Sequence, residues 1–128
     1  MQYSDYLAAY NSPEEGAEAA FFTEDLILKS PTATLQGRDK VMALLAEAHR
    51  RVKEELRPLH VLQEGNTIMS ELDAAFVAHD DDPDNFFYHF KKGEARAWRF
   101  FCLYKLRDDK ICEMHLAFWP DGWEIPAF

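Results

Sequence analysis

The feature that most constrains this chain is a pair of long alternating runs near its C-terminal end. They span residues 95–106 and 110–119, with Arg107-Asp108-Asp109 between them. Period-two alternation on both sides of a tight polar turn predicts an antiparallel hairpin. Two more runs, 59–63 and 67–79, read as strands joined across Glu64-Gly65-Asn66, and Leu26-Ile27-Leu28 reads as a short strand. The helical patterns come earlier. Tyr3, Tyr6, Leu7 and Tyr10 recur at helical spacing. Ser12-Pro13 then restarts a helix that carries Ala17, Ala20 and Phe21 and ends near Phe22. The longest helix follows Gly37-Arg38-Asp39, with Val41, Leu44, Leu45, Ala48 and Val52 as its apolar stripe and Pro58 closing the segment. Three helices followed by a meander of strands define an α+β layout.

The turn decides which side chains share a face. A two-residue turn at Asp108-Asp109 needs positive φ at both positions and normally uses Asn-Gly. A three-residue loop ending in a left-handed Asp109 is the more natural expectation, and it pairs Leu106 with Lys110. Cys112 then faces Tyr104, Met114 faces Cys102, Leu116 faces Phe100 and Phe118 faces Trp98. This face is almost wholly apolar. The opposite face carries Arg99, Phe101, Leu103, Glu113, His115, Ala117 and Trp119. A one-residue slip would mix the two sets and bring His115 beside Cys102. In the preferred register Cys102 and Cys112 lie diagonally, roughly 7 Å or more apart at Cα, a poor geometry for a disulfide.

Charge narrows the partners. Fourteen basic against 23 acidic residues leave a net charge of −9, and no basic face is evident. This argues against nucleic acid and against an anionic membrane surface as partners. No apolar run reaches the ~18 residues of a membrane span. The N-terminus shows no secretory pattern, so two reduced thiols in a cytoplasm are expected. CxxC and HExxH are absent, so neither a metal nor another cofactor is implied. The acidic stretch Asp80-Asp81-Asp82-Pro83-Asp84-Asn85 reads as a solvated turn.

Several local strings resemble one superfamily in order and spacing. Tyr6-Leu7-Ala8-Ala9-Tyr10-Asn11 is similar to the first-helix string of ketosteroid isomerase. Phe22-Thr23-Glu24-Asp25-Leu26-Ile27-Leu28 resembles the passage from helix into strand of the nuclear transport factor 2-like superfamily. Leu35-Gln36-Gly37-Arg38-Asp39 is similar to its glycine-arginine lead-in to the third helix, and residues 104–113 resemble the hairpin of SnoaL-like proteins, with Asp109 where those commonly have Gly. Together they cover about residues 6–119. The resemblance implies one SnoaL-like domain over residues 1–128, a cystatin-like α+β roll. In it a curved antiparallel sheet and three N-terminal helices form a cone around an apolar pocket. The residues expected to line that pocket are Tyr6, Tyr10, Phe22, Ser30, Leu72, Phe76, Trp98, Phe100, Cys102, Tyr104, Met114, Leu116 and Phe118.

Carried over residue by residue, the resemblance keeps Tyr6 as the hydrogen-bond donor to a developing oxyanion. The general base falls at Ser30, before Pro31, and the second oxyanion donor falls at Cys102. A serine without a partner is no base at neutral pH and a thiol is a weak donor, so ketosteroid isomerase chemistry is not expected. The histidine and aspartate of SnoaL-like cyclases fall at Met114 and Leu116. His60 is a candidate acid–base partner for Tyr6, with Glu71 or Asp73 as substitutes if their strand bulges inward. His49 reads as a solvated residue on the polar side of its helix. The function implied is binding of a small hydrophobic molecule, with or without isomerase- or cyclase-type chemistry. The alternative is an interaction module using the outer sheet face of a homodimer, through Arg99, Phe101, His115 and Trp119.

Overall fold

Tyr3, Tyr6 and Leu7 form the buried stripe of the first helix, α1 (Tyr3–Asn11). The computed structural model describes residues 1–118 and 123–128. After α1 the chain turns at Ser12, whose Oγ accepts a hydrogen bond from Glu14 N at 3.1 Å. Gly16 then adopts φ 78°, a left-handed conformation that ends any helix attempted from Pro13. Only a five-residue 3-10 helix, Ala17–Phe21, follows, so the expected second α-helix is replaced by a shorter element. Phe22 is already extended and opens β1 (Phe22–Lys29), which pairs antiparallel with β2 (Thr34–Gln36).

The helix α2 (Arg38–His49) buries Val41, Leu45 and Ala48. The sequence reading carries its stripe on to Val52, but the helix ends at His49 and Val52 is the first residue of β3 (Val52–Glu64). Pro58 therefore interrupts a strand rather than closing a helix. It sits on the sheet edge, beside a register shift between Pro58 and His60, where a missing N–H is tolerated. β4 (Thr67–Ala78), β5 (Ala95–Arg107) and β6 (Lys110–Ala117) follow, and β7 (Glu124–Ile125) pairs with β5 beside Ala97 and Trp98. The strand order is β2-β1-β6-β5-β4-β3, antiparallel except for the parallel β1–β6 pair. The result is a mixed α+β fold with a curved, unclosed sheet. No helix among the described residues is long and apolar enough to cross a membrane.

The β5–β6 hairpin departs from expectation twice. Asp108 and Asp109 form a two-residue turn with φ 52° and 63°, pairing Arg107 with Lys110. Continued unbroken, that register would set Glu113 against the buried Tyr104. A bulge at Cys112 intervenes, so that Lys105 pairs with Glu113 and Tyr104 with Met114. Cys102 then faces Leu116, not Met114. Ile111 takes the buried place expected of Cys112, whose Sγ contacts Lys105 O at 3.3 Å. Both cysteines are free thiols.

The acidic stretch after β4 is not a solvated turn throughout. Asp82 and Asn85 are buried, and Asn85 Nδ2 donates to Ala48 O at 2.8 Å and to Asp82 Oδ2 at 2.9 Å. These bonds tie residues 79–94 to the end of α2 and press Phe87 and Phe90 onto Phe76.

Glycine at Asp109 would relieve a left-handed aspartate at an exposed site, and its ion pair with the N-terminal amine is a surface contact of little value. Asp109→Gly is expected to raise stability by about 0.5–1 kcal/mol in denaturant unfolding. Equal or lower stability would contradict the assigned turn.

Candidate functional site

The inner sheet face meets α1 and α2 around an apolar enclosure. Its walls are Tyr6 and Tyr10 from α1, Val41, Leu44 and Leu45 from α2, and Leu28 from β1. Glu54 and Leu56 come from β3, Leu72 from β4, Phe100, Cys102 and Tyr104 from β5, and Met114 and Leu116 from β6, while Phe86 and Phe87 close it from the loop before β5. The void is about 40 Å³, room for a few waters, whereas drug-sized ligands occupy pockets of about 300 Å³ or more.

The residues named from sequence are placed unevenly. Tyr6, Tyr10, Leu72, Phe100, Cys102, Tyr104, Met114 and Leu116 line the void. Phe22, Phe76 and Trp98 are fully buried in the core around it. Phe118 stacks on Phe100 with ring centroids 4.5 Å apart. Ser30 is a turn residue: its Oγ accepts from Thr32 N and Ala33 N and lies 3.1 Å from Ala33 O, to which it donates.

His60 does not join Tyr6. It stands on the edge strand with 78% of its side chain accessible, and its Nδ1 lies 2.9 Å from Glu71 Oε1. β4 pairs with β5 without interruption from Thr67 to Val77, so Glu71 and Asp73 stay on the outer face. There Asp73 takes a two-pronged bond from Arg99, at 2.9 and 3.3 Å. Phe101 and His115 share that outer face. Trp119 lies outside the described residues. Trp123 packs its ring on Phe101, with centroids 5.3 Å apart.

The polar group that sequence reading missed is Glu54. Its Oε1 accepts the Tyr10 hydroxyl at 2.6 Å and lies 2.8 Å from His49 Nε2. Because β3 starts just after α2, alternation from the buried Val52 turns Glu54 inward with Leu56. The one usable signal was the Val52, Glu54, Leu56 alternation, which was hidden by reading the segment as helix. His49 is correspondingly not solvated: its side chain is 26% accessible. Burial disfavours its charge, but the Glu54 hydrogen bond, with the charges of Glu54, Glu18 and Glu15, outweighs burial and raises its pKa. Burial, then the Glu54 charge, pushes Tyr10 well above its ordinary value. Burial also raises Tyr6 and Tyr104, and lifts the Cys102 thiol to about 12, so all remain protonated near neutrality. The Tyr6 hydroxyl has no hydrogen-bond partner among the described residues, although its ring touches Tyr3, Tyr10, Phe21, Phe22 and Tyr104.

On its other side the cluster faces a broad open cleft of about 1060 Å³, formed by the end of α1, the following segment, α2 and the start of β3. Tyr10 and Glu54 line both cleft and void; His49 lines the cleft alone.

A curved sheet folded over two helices around an apolar interior is the architecture of the nuclear transport factor 2-like, ketosteroid isomerase-like proteins, and solved structures agree. A candidate polyketide cyclase from Pseudomonas putida superimposes with TM-score 0.77 at 19% identity, covering 89% of this chain and 86% of that one. An M. tuberculosis epoxide hydrolase of the LEH-like type gives 0.72 at 14%, covering 91% and 79%. A Catenulispora acidiphila protein with a ketosteroid isomerase-like fold, in complex with trimethylamine, gives 0.71 at 14%, covering 89% and 82%. Identities this low establish the fold alone. The family model for the SnoaL-like domain matches residues 3–114, and the chain belongs to that family. No curated protein matches its sequence.

The raised pKa of His49 makes a prediction with a definite sign. The ion pair with Glu54 contributes stability that is fully present below the ordinary 6.5 and lost as pH rises through the raised folded value. The difference in thermal midpoint between wild type and Glu54→Gln is therefore expected to be largest below that window and to shrink above it. A difference independent of pH would refute the pair.

Proposed function

We propose that the protein binds a small, mostly apolar molecule between α1, α2 and the inner sheet face, and acts on it by isomerase- or cyclase-type chemistry. The observation that carries this is the enclosure itself: an apolar wall of Leu72, Phe100, Cys102, Met114 and Leu116, with polar groups, among the described residues, at Tyr6, Tyr10, Tyr104 and Glu54. Such pockets hold ligands by burial and orient them with a few polar contacts. The Tyr6 hydroxyl, without a hydrogen-bond partner among the described residues, is one such contact, a donor for an oxygen on the ligand. A void of about 40 Å³ must widen to admit a ligand, and the half-buried Leu44 and Phe86 in its wall are the side chains to move. The names of structural neighbours, polyketide cyclase and epoxide hydrolase, fit small lipophilic substrates.

The neutral fluorescent probe N-phenyl-1-naphthylamine is expected to bind saturably, one per chain, and Leu72→Trp is expected to abolish that binding by filling the void. Absence of saturable binding, or binding indifferent to Leu72→Trp, would sink the reading.

A homodimer through the outer face is the second reading. There Leu62 is 72%, Met69 48% and Phe101 39% accessible, large apolar side chains on one side of the sheet. Light scattering is expected to give twice the chain mass, and Met69→Glu together with Phe101→Glu to give a monomer; a monomeric wild type removes this reading.

A further inference from the structure

We infer that Glu54 is a general base toward a ligand in the apolar void, held for that work by His49 and Tyr10. This rests on the ligand reading above and adds the group that acts. The ligand class is an apolar molecule carrying an acidic C–H bond.

Three observations converge. First, among the described residues Glu54 is the only carboxyl group in the wall of the void, and the other titratable groups there are tyrosines and a thiol that burial keeps protonated. Second, both donors end on one oxygen: Tyr10 at 2.6 Å and His49 at 2.8 Å reach Oε1, so Oε2 carries neither bond. Two donors from different helices fix the carboxylate plane, the positioning that proton transfer needs. Third, Glu54 also lines the outer cleft beside His49 while its side chain stays buried, 3% accessible, so the carboxyl group sits between void and cleft. Neither the position of Ser30 nor that of Cys102 offers this combination.

The step balances without a co-reactant. The ligand C–H bond breaks, its electron pair stays on the ligand, and Glu54 takes the proton. Glu54 then returns the proton to another ligand atom, an isomerisation, or gives it to water in the cleft. His49 and Tyr10 are positioning residues. The charged groups near His49 are Glu54 on β3 and Glu15 and Glu18 before β1. Glu14, Glu47, Arg50, Lys53 and His79 complete the cleft.

The test uses 5-nitrobenzisoxazole, an apolar C–H acid that reports base catalysis directly. Removal of its proton forms the nitrile, breaks the N–O bond and releases a coloured phenolate. Wild type is expected to turn it over. Glu54→Gln is expected to lower kcat/KM by about 100-fold or more, with binding of N-phenyl-1-naphthylamine unchanged. Should Glu54→Gln fail to fold, Glu54→Asp keeps the charge but retracts the carboxylate, and is expected to retain probe binding and lose most turnover. His49→Gln removes a cation from the base and is expected to move the acid limb of the pH–rate profile to higher pH, which a merely structural residue would not do. Turnover equal in wild type and Glu54→Gln, with naphthylamine bound, overturns the assignment of the base and leaves the ligand reading standing. An unmoved acid limb in His49→Gln overturns the positioning role. Failure of both probes to bind overturns the ligand reading and this inference with it.

Discussion

The parity of β6 against β5 is the constraint on which the rest depends. Side chains alternate faces with a period of two, so a displacement by one residue would turn Glu113 and His115 into the cone and Met114 and Leu116 out of it. A two-residue turn at Asp108-Asp109 alone imposes that unfavourable parity. The bulge at Cys112 adds the compensating residue, and the pairing that follows returns Met114 and Leu116 to the inner face. Turn and bulge are therefore a matched pair. Ile111 and Met114 lie on either side of the bulge and are both buried, which two residues three apart in an unbroken strand could not both achieve on one face.

The same arithmetic explains why much of the inner face was legible in the sequence. The expected three-residue loop differs from the observed hairpin body by two residues, a full strand period. Trp98, Phe100, Cys102, Tyr104, Met114 and Leu116 thus share a face in either register, although their individual partners differ. Face assignments depend on parity, partner assignments on register, and only the first is robust to a misjudged turn. The details fell the other way at Cys112, because a bulge leaves no mark in a run whose flanking residues are all compatible with strand.

The N-terminal half was legible where apolar spacing was unambiguous, as at Tyr3, Tyr6 and Leu7, and illegible where helix and strand patterns overlap. Val52 and Leu56, four apart, continue the helical stripe of α2 as readily as they alternate along a strand, a helix on which Glu54 would fall on the opposite, polar side, and Pro58 looks like a helix stop until the strand is known to lie at the sheet edge. Placing the boundary after His49 turns a solvated helix end into one wall of a polar cluster. His49 and Glu54 are five residues apart, across the boundary itself, and only the change of direction from α2 into β3 brings them to 2.8 Å. No local pattern encodes that meeting. His60 illustrates the converse: expected as an acid–base partner for Tyr6, it lies on the second half of β3, which runs exposed along the edge.

The apolar wall and the carboxyl group of Glu54 belong to one arrangement. In water a carboxylate flanked by an imidazole and a phenol would have many competing partners; at the edge of a void of about 40 Å³ it has these two. The tyrosines and the thiol around it are kept neutral by the same burial, which leaves Glu54 as the carboxyl group among the described residues of the void's wall. Where the resemblance to ketosteroid isomerase implies carboxyl groups, this chain has Ser30 in a turn and the buried thiol of Cys102, and the carboxyl group in the void's wall comes from β3. The fold holds the cone constant while the polar group enters through a different strand, because any inward position near the mouth can carry it provided a helix end stands close enough to supply a donor.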